Sequence, residues 1–337
     1  MPQVVKVLSV MKLTEEQLDR LRAVSPRLRV SQTTCKTPEE MLPLLAETEV
    51  LYTFFADFAP EQAHSLRWVQ LSSAGINHVT GKPLMASAIP ITTTSGIHAV
   101  PIAEYVVGSM LAFARGFPKM FSLQQKHEWP KGRWDALLGA ELRGHTIGLI
   151  GYGSIGREIG RLAKAFGMNV LASKRSPQQR DDGGWAVSGV GDPHMEHVSR
   201  VFGSDQLEEM VAQCDFVVVA LPLTKGTEGM INESVLRAMR PTAYFVNISR
   251  GGVVDEDALI RALQEGWIAG AGLDVFRQEP LPPESPFYDL PNVILTPHIS
   301  GASAAYDDRA SDLFAENLRR YLAGEPLLNL VDKQRGY

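Results

Sequence analysis

Apolar residues fall in short blocks separated by amphipathic stretches along most of the chain. Residues 4–8, 50–53, 68–71 and 91–94 read as strands, rich in β-branched and aromatic side chains. Between the first two, Thr14-Glu15-Glu16-Gln17 has the spacing of a capping box, with Leu18 and Leu21 on one face of the helix that follows. Thr37-Pro38-Glu39-Glu40 repeats the signal with proline at the first helical position. Strands alternating with helices predict a small parallel α/β domain. A second series follows, with strands over 146–150, 169–172, 215–221, 244–248, 268–273 and 293–296. Ser204 is expected to cap a helix running to about 213. Asp255 begins another helix, closed by Gly266. An amphipathic helix over 313–321 ends the pattern.

Two stretches break this alternation. Residues 97–117 form a helical run that is apolar nearly all round, and such a helix must be buried. Its place between the two series suggests a subunit interface, with burial inside one chain as the alternative. Residues 176–203 hold neither period and are rich in Gly, Asp, Pro and Ser. So long a structureless segment is unusual in a compact domain and reads as a surface excursion, with room for a hairpin.

The densest signal lies at the start of the second series. The strand ending at Ile150 runs into Gly151-Tyr152-Gly153-Ser154-Ile155-Gly156, the G-x-G-x-x-G spacing, and a helix with Ile159, Leu162, Ala163 and Phe166 on its apolar positions follows. Gly151 permits a tight turn, Gly153 lets backbone approach a pyrophosphate, and Gly156 lets helix and strand pack closely. The free N–H groups and positive dipole end of the helix then favour a phosphate. A strand before and a strand after the motif make it specific for a dinucleotide.

Composition narrows the picture. A chain of 337 residues is too long for one compact core. A formal net charge of −5 advertises neither nucleic acid nor an anionic membrane as partner. Cys35 and Cys214 share no metal-ligand spacing, no metal site is expected, and their sparsity fits a reducing compartment. The N-terminus lacks the long apolar core of a signal peptide, and the longest apolar run is too short for a membrane span. A cytoplasmic protein is expected.

In open α/β sheets, ligands bind beyond the carboxyl ends of the strands. The polar residues there are Arg250, Asp274 and His298, with Glu279 in the loop after Asp274. Singly, each reads as an ion pair, a loop residue or a hydrogen-bonded structural histidine. Together they suit a carbonyl reduction. An arginine can fork onto a carboxylate and polarise a carbonyl. A histidine can give a proton to the developing alkoxide, and a neighbouring glutamate favours its charged form. At the end of the strand after the glycine loop, where an NAD site usually places Asp or Glu, stand Ser173, Lys174, Arg175 and Ser176. The two cations would attract a 2′-phosphate, and the serine hydroxyls could add hydrogen bonds. NADP is therefore the expected cofactor, with NAD as the lesser alternative.

Three motifs resemble one family. Asn247-Ile248-Ser249-Arg250-Gly251-Gly252, Gly272-Leu273-Asp274-Val275-Phe276-Arg277-Gln278-Glu279-Pro280 and Thr296-Pro297-His298-Ile299-Ser300-Gly301 are similar to the D-isomer-specific 2-hydroxyacid dehydrogenases, which include glyoxylate/hydroxypyruvate reductases and phosphoglycerate dehydrogenases. The likeness runs from the loop at Ser73 to the last helix. It implies two Rossmann-like, doubly wound parallel-sheet α/β domains with the active site in the cleft between them. The substrate domain would be discontinuous, residues 1–97 and 299–337, and the dinucleotide domain would span 98–298. The resemblance makes Arg250 the binder of the substrate carboxylate and carbonyl, His298 the acid/base, and Glu279 the group that raises the pKa of that histidine. Ala74, Gly75 and Ile76 would hold the carboxylate through backbone N–H groups. Asp274 would orient the nicotinamide carboxamide and Thr227 would contact the pyrophosphate. The cofactor site would take in Leu221, Pro222, Ile248, Ser249, Arg250, His298 and Gly301 besides the glycine loop with Ser154 and Ile155. Two departures stand out: the long 176–203 excursion and the basic 173–176 strand end.

The reading is an NADPH-preferring reductase of a small 2-keto acid, paired as a homodimer through the 100–114 helix. Phe54, Phe55 and Trp134 are candidates for an apolar wall, or are simply packed. A formate dehydrogenase is a rival within enzymes, but relatives of that kind lack the family glutamate. A nucleotide-sensing regulator of the same fold, akin to transcriptional corepressors and with little turnover, is the rival outside enzymes.

Overall fold

The computed structural model describes residues 4–335. The outermost positions of the expected substrate domain, 1–3 and 336–337, lie outside the described residues. The chain divides into two compact units. One takes in the chain up to His98, the short stretch Gly183–Val187 and the chain from Ser303 onward. The other comprises Ala99–Asp182 and Ser188–Ala302. The expected divisions, after 97 and before 299, stand beside observed ones after His98 and after Ala302.

The first unit is built on five parallel strands, β1 (Val5–Ser9), β2 (Leu28–Gln32), β3 (Val50–Thr53), β4 (Trp68–Leu71) and β5 (Ile91–Thr92), in the order β2-β1-β3-β4-β5. Alternation decides which face each side chain meets. Val5, Val7, Val50 and Tyr52 pack with Leu18, Leu21, Phe314 and Leu318, whereas Leu8, Leu51, Val69 and Leu71 pack with Met41 and Leu45 on the other face. The helix Glu15–Ala23 carries the predicted capping box, with Thr14 and Gln17 bonding reciprocally. Strand β2 was not expected. Only Leu28 of its five residues is buried, so its apolar signal is weak. The last helix, Tyr306–Ala323, starts earlier than its apolar face suggests. Asp307 and Asp308 occupy its first turn, where negative charge is favoured, and left-handed Gly324 ends it.

The second unit holds seven parallel strands, β6 (Thr146–Ile150), β7 (Asn169–Ser173), β8 (Arg200–Phe202), β9 (Phe216–Val219), β10 (Tyr244–Asn247), β11 (Gly270–Leu273) and β12 (Val293–Leu295). Their order is β12-β11-β10-β9-β6-β7-β8. The order reverses at β6 and β9, the switch point where doubly wound sheets open a crevice for ligand. The excursion contains no hairpin; its end forms β8, which pairs parallel with β7. The expected helix from Ser204 begins instead with Gly203, followed by a tight turn, Ser204–Gln206, and the short helix Leu207–Val211.

The apolar run 97–117 becomes the helix Ala99–Ala114, stopped by left-handed Gly116 before a second helix, Phe117–Gln125. Ile102, Ala103, Val106 and Met110 pack with Ile159, Ala163 and Leu149 in the core of this unit. Most of its apolar surface is therefore covered inside the chain. Five of the exposed large apolar side chains follow it: Phe117, Phe121, Trp129, Trp134 and Leu138.

Among the described residues, no helix is long and apolar enough to cross a membrane, and no cluster of His, Cys, Asp or Glu could hold a metal ion.

A buried polar chain ties the last helix to the first sheet. Trp68 Nε1 donates to Thr92 Oγ1 at 2.8 Å, Thr92 Oγ1 donates to Gln70 Oε1 at 2.8 Å, and Asn317 Nδ2 donates to Gln70 Oε1 at 3.1 Å. Asn317 also donates to the Leu328 carbonyl and accepts from the Leu328 N–H at 2.8 Å. All four side chains are fully buried. Removing Asn317 leaves Gln70 and the Leu328 backbone short of a partner, each unsatisfied group costing about 1–3 kcal/mol. Asn317→Ala is expected to lower the unfolding free energy by about 3 kcal/mol, read from the urea midpoint of the cofactor-free protein.

Candidate active site

Strands β10, β11 and β12 lie side by side in parallel register, Asn247 opposite Leu273 and Leu273 opposite Leu295. Their carboxyl ends therefore deliver Arg250, Asp274 and His298 to one edge of the sheet.

Asp274 organises this edge. Its side chain is fully buried. Oδ1 accepts from the Thr296 hydroxyl at 2.6 Å and from the Ile299 N–H at 2.9 Å, and Oδ2 accepts from the Ser300 N–H at 3.0 Å. The Asp274 carbonyl accepts from the His298 N–H at 2.9 Å. The hydroxyls of Tyr105 and Thr296 lie 2.7 Å apart. These contacts wind the chain into a turn that holds His298 at φ 51°, left-handed backbone that a non-glycine residue adopts at a cost of about 1–3 kcal/mol.

The turn aims the imidazole at Glu279. His298 Nδ1 lies 2.7 Å from Glu279 Oε2, and both side chains are partly open to solvent. The other carboxylate oxygen of Glu279 accepts from the Phe276 N–H at 2.9 Å, so the glutamate is itself fixed. Beside it, Glu256 accepts from the Arg277 N–H at 2.5 Å. Burial pushes the Glu256 carboxyl above the usual carboxylate range, and the charges of Asp257 and Glu279 add to this. The ring arrangement leaves Nε2 of His298 as the nitrogen turned away from the glutamate.

Arg250 follows a buried turn. Asn247 Oδ1 accepts from the N–H of Ser249 at 3.1 Å and from its hydroxyl at 2.7 Å. Ile248 and Ser249 are buried. Arg250 Nη1 donates to the Ser249 carbonyl at 2.6 Å. Asn247, Tyr105, Thr296 and Ser300 shape the site and were not singled out from sequence. Asn247, Thr296 and Ser300 stand within the motifs and Tyr105 in the apolar helical run, positions that do not reveal hydrogen bonding.

The glycine loop lies at the switch point. Gly151 adopts φ 100°, and a Cβ there would stand 2.5 Å from the Ala220 carbonyl oxygen. A Cβ at Gly156 would collide with the Gly151 carbonyl, so helix and turn approach as predicted. At Gly153 a Cβ would meet no protein atom within 4 Å. It would project into open space before the helix Ser154–Ala165, the room a pyrophosphate needs. These residues fit a dinucleotide. Leu221 closes on Gly151 from the end of β9, and Pro222 accepts at its carbonyl from the Thr227 hydroxyl at 2.6 Å. Thr227 Oγ1 also accepts from the Thr224 N–H at 2.9 Å, so it shapes this loop.

At the end of β7, Ser173 is buried, Lys174 is half-buried, and Arg175 and Ser176 are exposed. Lys174 Nζ donates to the Gln179 carbonyl at 2.5 Å. Burial, then the charge of Arg157, holds the Lys174 ammonium below the usual lysine range. Gly301 is half-buried beyond the His298 turn.

The loop Ala74-Gly75-Ile76 belongs to the other unit, at the carboxyl end of β4, with Ile76 buried and the Gly75 carbonyl accepting from Ser73 Oγ at 3.0 Å. Phe54, stacked on His78 with ring centres 4.1 Å apart, is partly exposed. Phe55 packs on the core, and Trp134 is largely exposed.

Residues 107–300 match the model of the D-isomer specific 2-hydroxyacid dehydrogenase NAD binding domain. A glyoxylate reductase of Thermofilum pendens is 36% identical over 88% of this chain and 85% of its own. A D-isomer specific 2-hydroxyacid dehydrogenase from Xanthobacter autotrophicus, solved with NADPH and MES, superposes with a TM-score of 0.80 at 29% identity, covering 99% of this chain and 100% of that one. An NADPH-dependent glyoxylate/hydroxypyruvate reductase from Sinorhizobium meliloti, solved with NADP and sulfate, gives 0.77 at 28% identity over 99% and 100%. The two parallel sheets, the glycine loop and the matched motifs agree with these likenesses, and the chain is an oxidoreductase of the D-isomer specific 2-hydroxyacid dehydrogenase family.

Proposed function

We propose that the protein reduces a small 2-keto acid at C2, of the glyoxylate and hydroxypyruvate class, and prefers NADPH. The observation that carries the reading is the His298–Glu279 pair, 2.7 Å apart at the carboxyl end of β12, in the same unit as a glycine loop suited to a dinucleotide. The names of the glyoxylate reductase relatives support the substrate class. A bound nicotinamide supplies the hydride. His298 gives a proton from Nε2 to the developing alkoxide, while Glu279 holds the ring at Nδ1. Arg250 forks onto the substrate carboxylate and polarises the carbonyl. Ala74, Gly75 and Ile76 hold the carboxylate through N–H groups. Asp274, fully buried, orients the nicotinamide carboxamide through the turn it holds, and Thr227 takes the pyrophosphate. We place the enzyme in the cytoplasm; its two cysteines are free and buried, as suits a reducing compartment.

The purified protein is expected to oxidise NADPH with glyoxylate or hydroxypyruvate. His298→Ala should lower kcat by about 10²–10⁴-fold, the usual worth of a positioned general acid. Near-normal turnover by the folded variant would remove His298 from the mechanism. Tight NADPH binding with no turnover on any 2-keto acid would favour the nucleotide-sensing regulator instead.

Cofactor choice rests on the charges at the end of β7. A 2′-phosphate is attracted by Lys174 and Arg175, and its distance from the reacting carbon puts the effect in KM. Replacing both with Ala should raise KM for NADPH and leave KM for NADH nearly unchanged. Equal kcat/KM for the two cofactors in the wild-type enzyme would show that the pair does not select.

We also propose a homodimer. The helix Ala99–Ala114 is mostly covered by its own unit, so the pairing surface extends to Phe117, Phe121, Trp129, Trp134 and Leu138, of which Trp129 is 82% exposed and Leu138 84%. Five large apolar side chains exposed along one stretch of chain suit a pairing surface. Sedimentation at micromolar concentration should give about twice 37.0 kDa, and Trp129→Ser with Leu138→Ser should shift it toward the monomer. A monomeric wild-type protein would refute the pairing.

A further inference from the structure

Buried charges hold the excursion after β7. Arg157, in the first turns of the helix behind the glycine loop, is only 3% exposed. Its guanidinium reaches both legs of the excursion. Nη2 donates to the Arg180 carbonyl at 2.6 Å, Nη1 donates to the Asp192 carbonyl, and Nε stands 3.2 Å from an Asp182 carboxylate oxygen. Neighbouring contacts lock the same two legs. Asp192 accepts from Tyr152 Oη at 2.7 Å and from the N–H groups of Glu196 and His197. Glu158 accepts from the Gly191 N–H at 2.7 Å, and Arg180 Nη2 donates to the Met195 carbonyl at 2.6 Å.

Lys174 depends on this arrangement. Its ammonium rests on the Gln179 carbonyl, one residue before the carbonyl that Arg157 grips. Met195, on the other leg, places its sulfur 3.9 Å from Nζ. Arg157 cannot meet a phosphate itself, because it is enclosed and its charge faces Asp182 and two carbonyls. Lys174 is partly open, and its surroundings are set by Gln179 and Met195, each within three residues of a group that Arg157 holds.

We infer that Arg157 is a positioning residue for NADPH, holding the 179–196 legs in the fold that presents Lys174 to the cofactor's 2′-phosphate. This rests on the NADPH preference proposed above. Arg157 is thus a determinant of cofactor choice that never touches the cofactor. Its effect is confined to the phosphate end, so KM for NADPH moves while kcat at saturating NADPH does not.

The test measures KM for NADPH and NADH in four proteins: wild type, Arg157→Met, Lys174→Ala and the double variant. Arg157→Met should raise KM for NADPH about tenfold, the worth of a lost charge-assisted contact, with KM for NADH within about twofold. Adding Lys174→Ala to Arg157→Met should raise KM no further, since one residue acts through the other. Equal shifts for both cofactors would mean general loosening, and additive effects would mean that Arg157 does not act through Lys174; either overturns the inference. Should Arg157→Met fail to fold, Asp182→Asn, which weakens the same grip, should give a smaller shift of the same kind, and no shift would overturn the inference. If the wild-type enzyme does not discriminate between the cofactors, the NADPH reading falls. If it discriminates and Arg157→Met discriminates as well, only the present inference falls.

Discussion

The geometry of the candidate site depends on one buried carboxylate. Asp274 leaves water altogether, which is expensive for a charged group unless donors surround it. The donors come from the chain that follows β12: a hydroxyl and two backbone N–H groups. Hydrogen bonds to a charged group are worth about 1.5–3 kcal/mol each. Three of them exceed the cost of about 1–3 kcal/mol for holding His298 in left-handed backbone. The strained turn is thus stable because Asp274 is buried beneath it. A surface aspartate, already solvated by water, would have far less to gain from the same turn.

That constraint sorts the polar residues of this edge into two kinds. Glu279 acts directly on the imidazole, and its second oxygen is spent on its own loop, so ring and carboxylate are both fixed before any substrate arrives. Asp274 and Asn247 act on backbone instead, Asp274 on the N–H groups of Ile299 and Ser300 and Asn247 on that of Ser249. They set where His298 and Arg250 leave the sheet. Preorganisation of this kind would let His298, in the role proposed for it, act without waiting for its own loop to settle.

The sequence was informative where periodicity and special backbone coincide. The glycine loop was legible because Gly151 and Gly156 answer steric demands that only glycine meets. Strand β9 was legible because it is apolar throughout and buried on both faces, and β10 because Phe245 and Val246 are. Strand β2 was not, because a sheet edge leaves most of its side chains in water. Strand β8 hid for a related reason: three residues, one exposed and one half-buried, carry no period. The helix Ala99–Ala114 was recognised as buried, but a one-dimensional pattern cannot say what buries it. Its own unit does most of this, through contacts with the helix behind the glycine loop.

The excursion marks where a pattern of side chains ceases to describe a fold. Its order comes from backbone carbonyls and N–H groups captured by side chains: Arg157 on two carbonyls, Asp192 on two N–H groups, Glu158 on one. None of this leaves a hydrophobic trace, so 176–203 reads as loop. The tip follows another logic. Trp185 joins Ile97, Ala310, Leu313 and Leu328 in a small apolar cluster of the first unit, and its N–H donates to Asn329 at 3.3 Å. A Cβ on Gly96 would strike the Trp185 carbonyl, so the chain can lie there only because position 96 has no side chain. A segment without periodicity is therefore placed by specific partners, a buried guanidinium on its legs and a glycine at its tip. Length alone would have assigned it to disorder; hydrogen-bond accounting assigns it a structure.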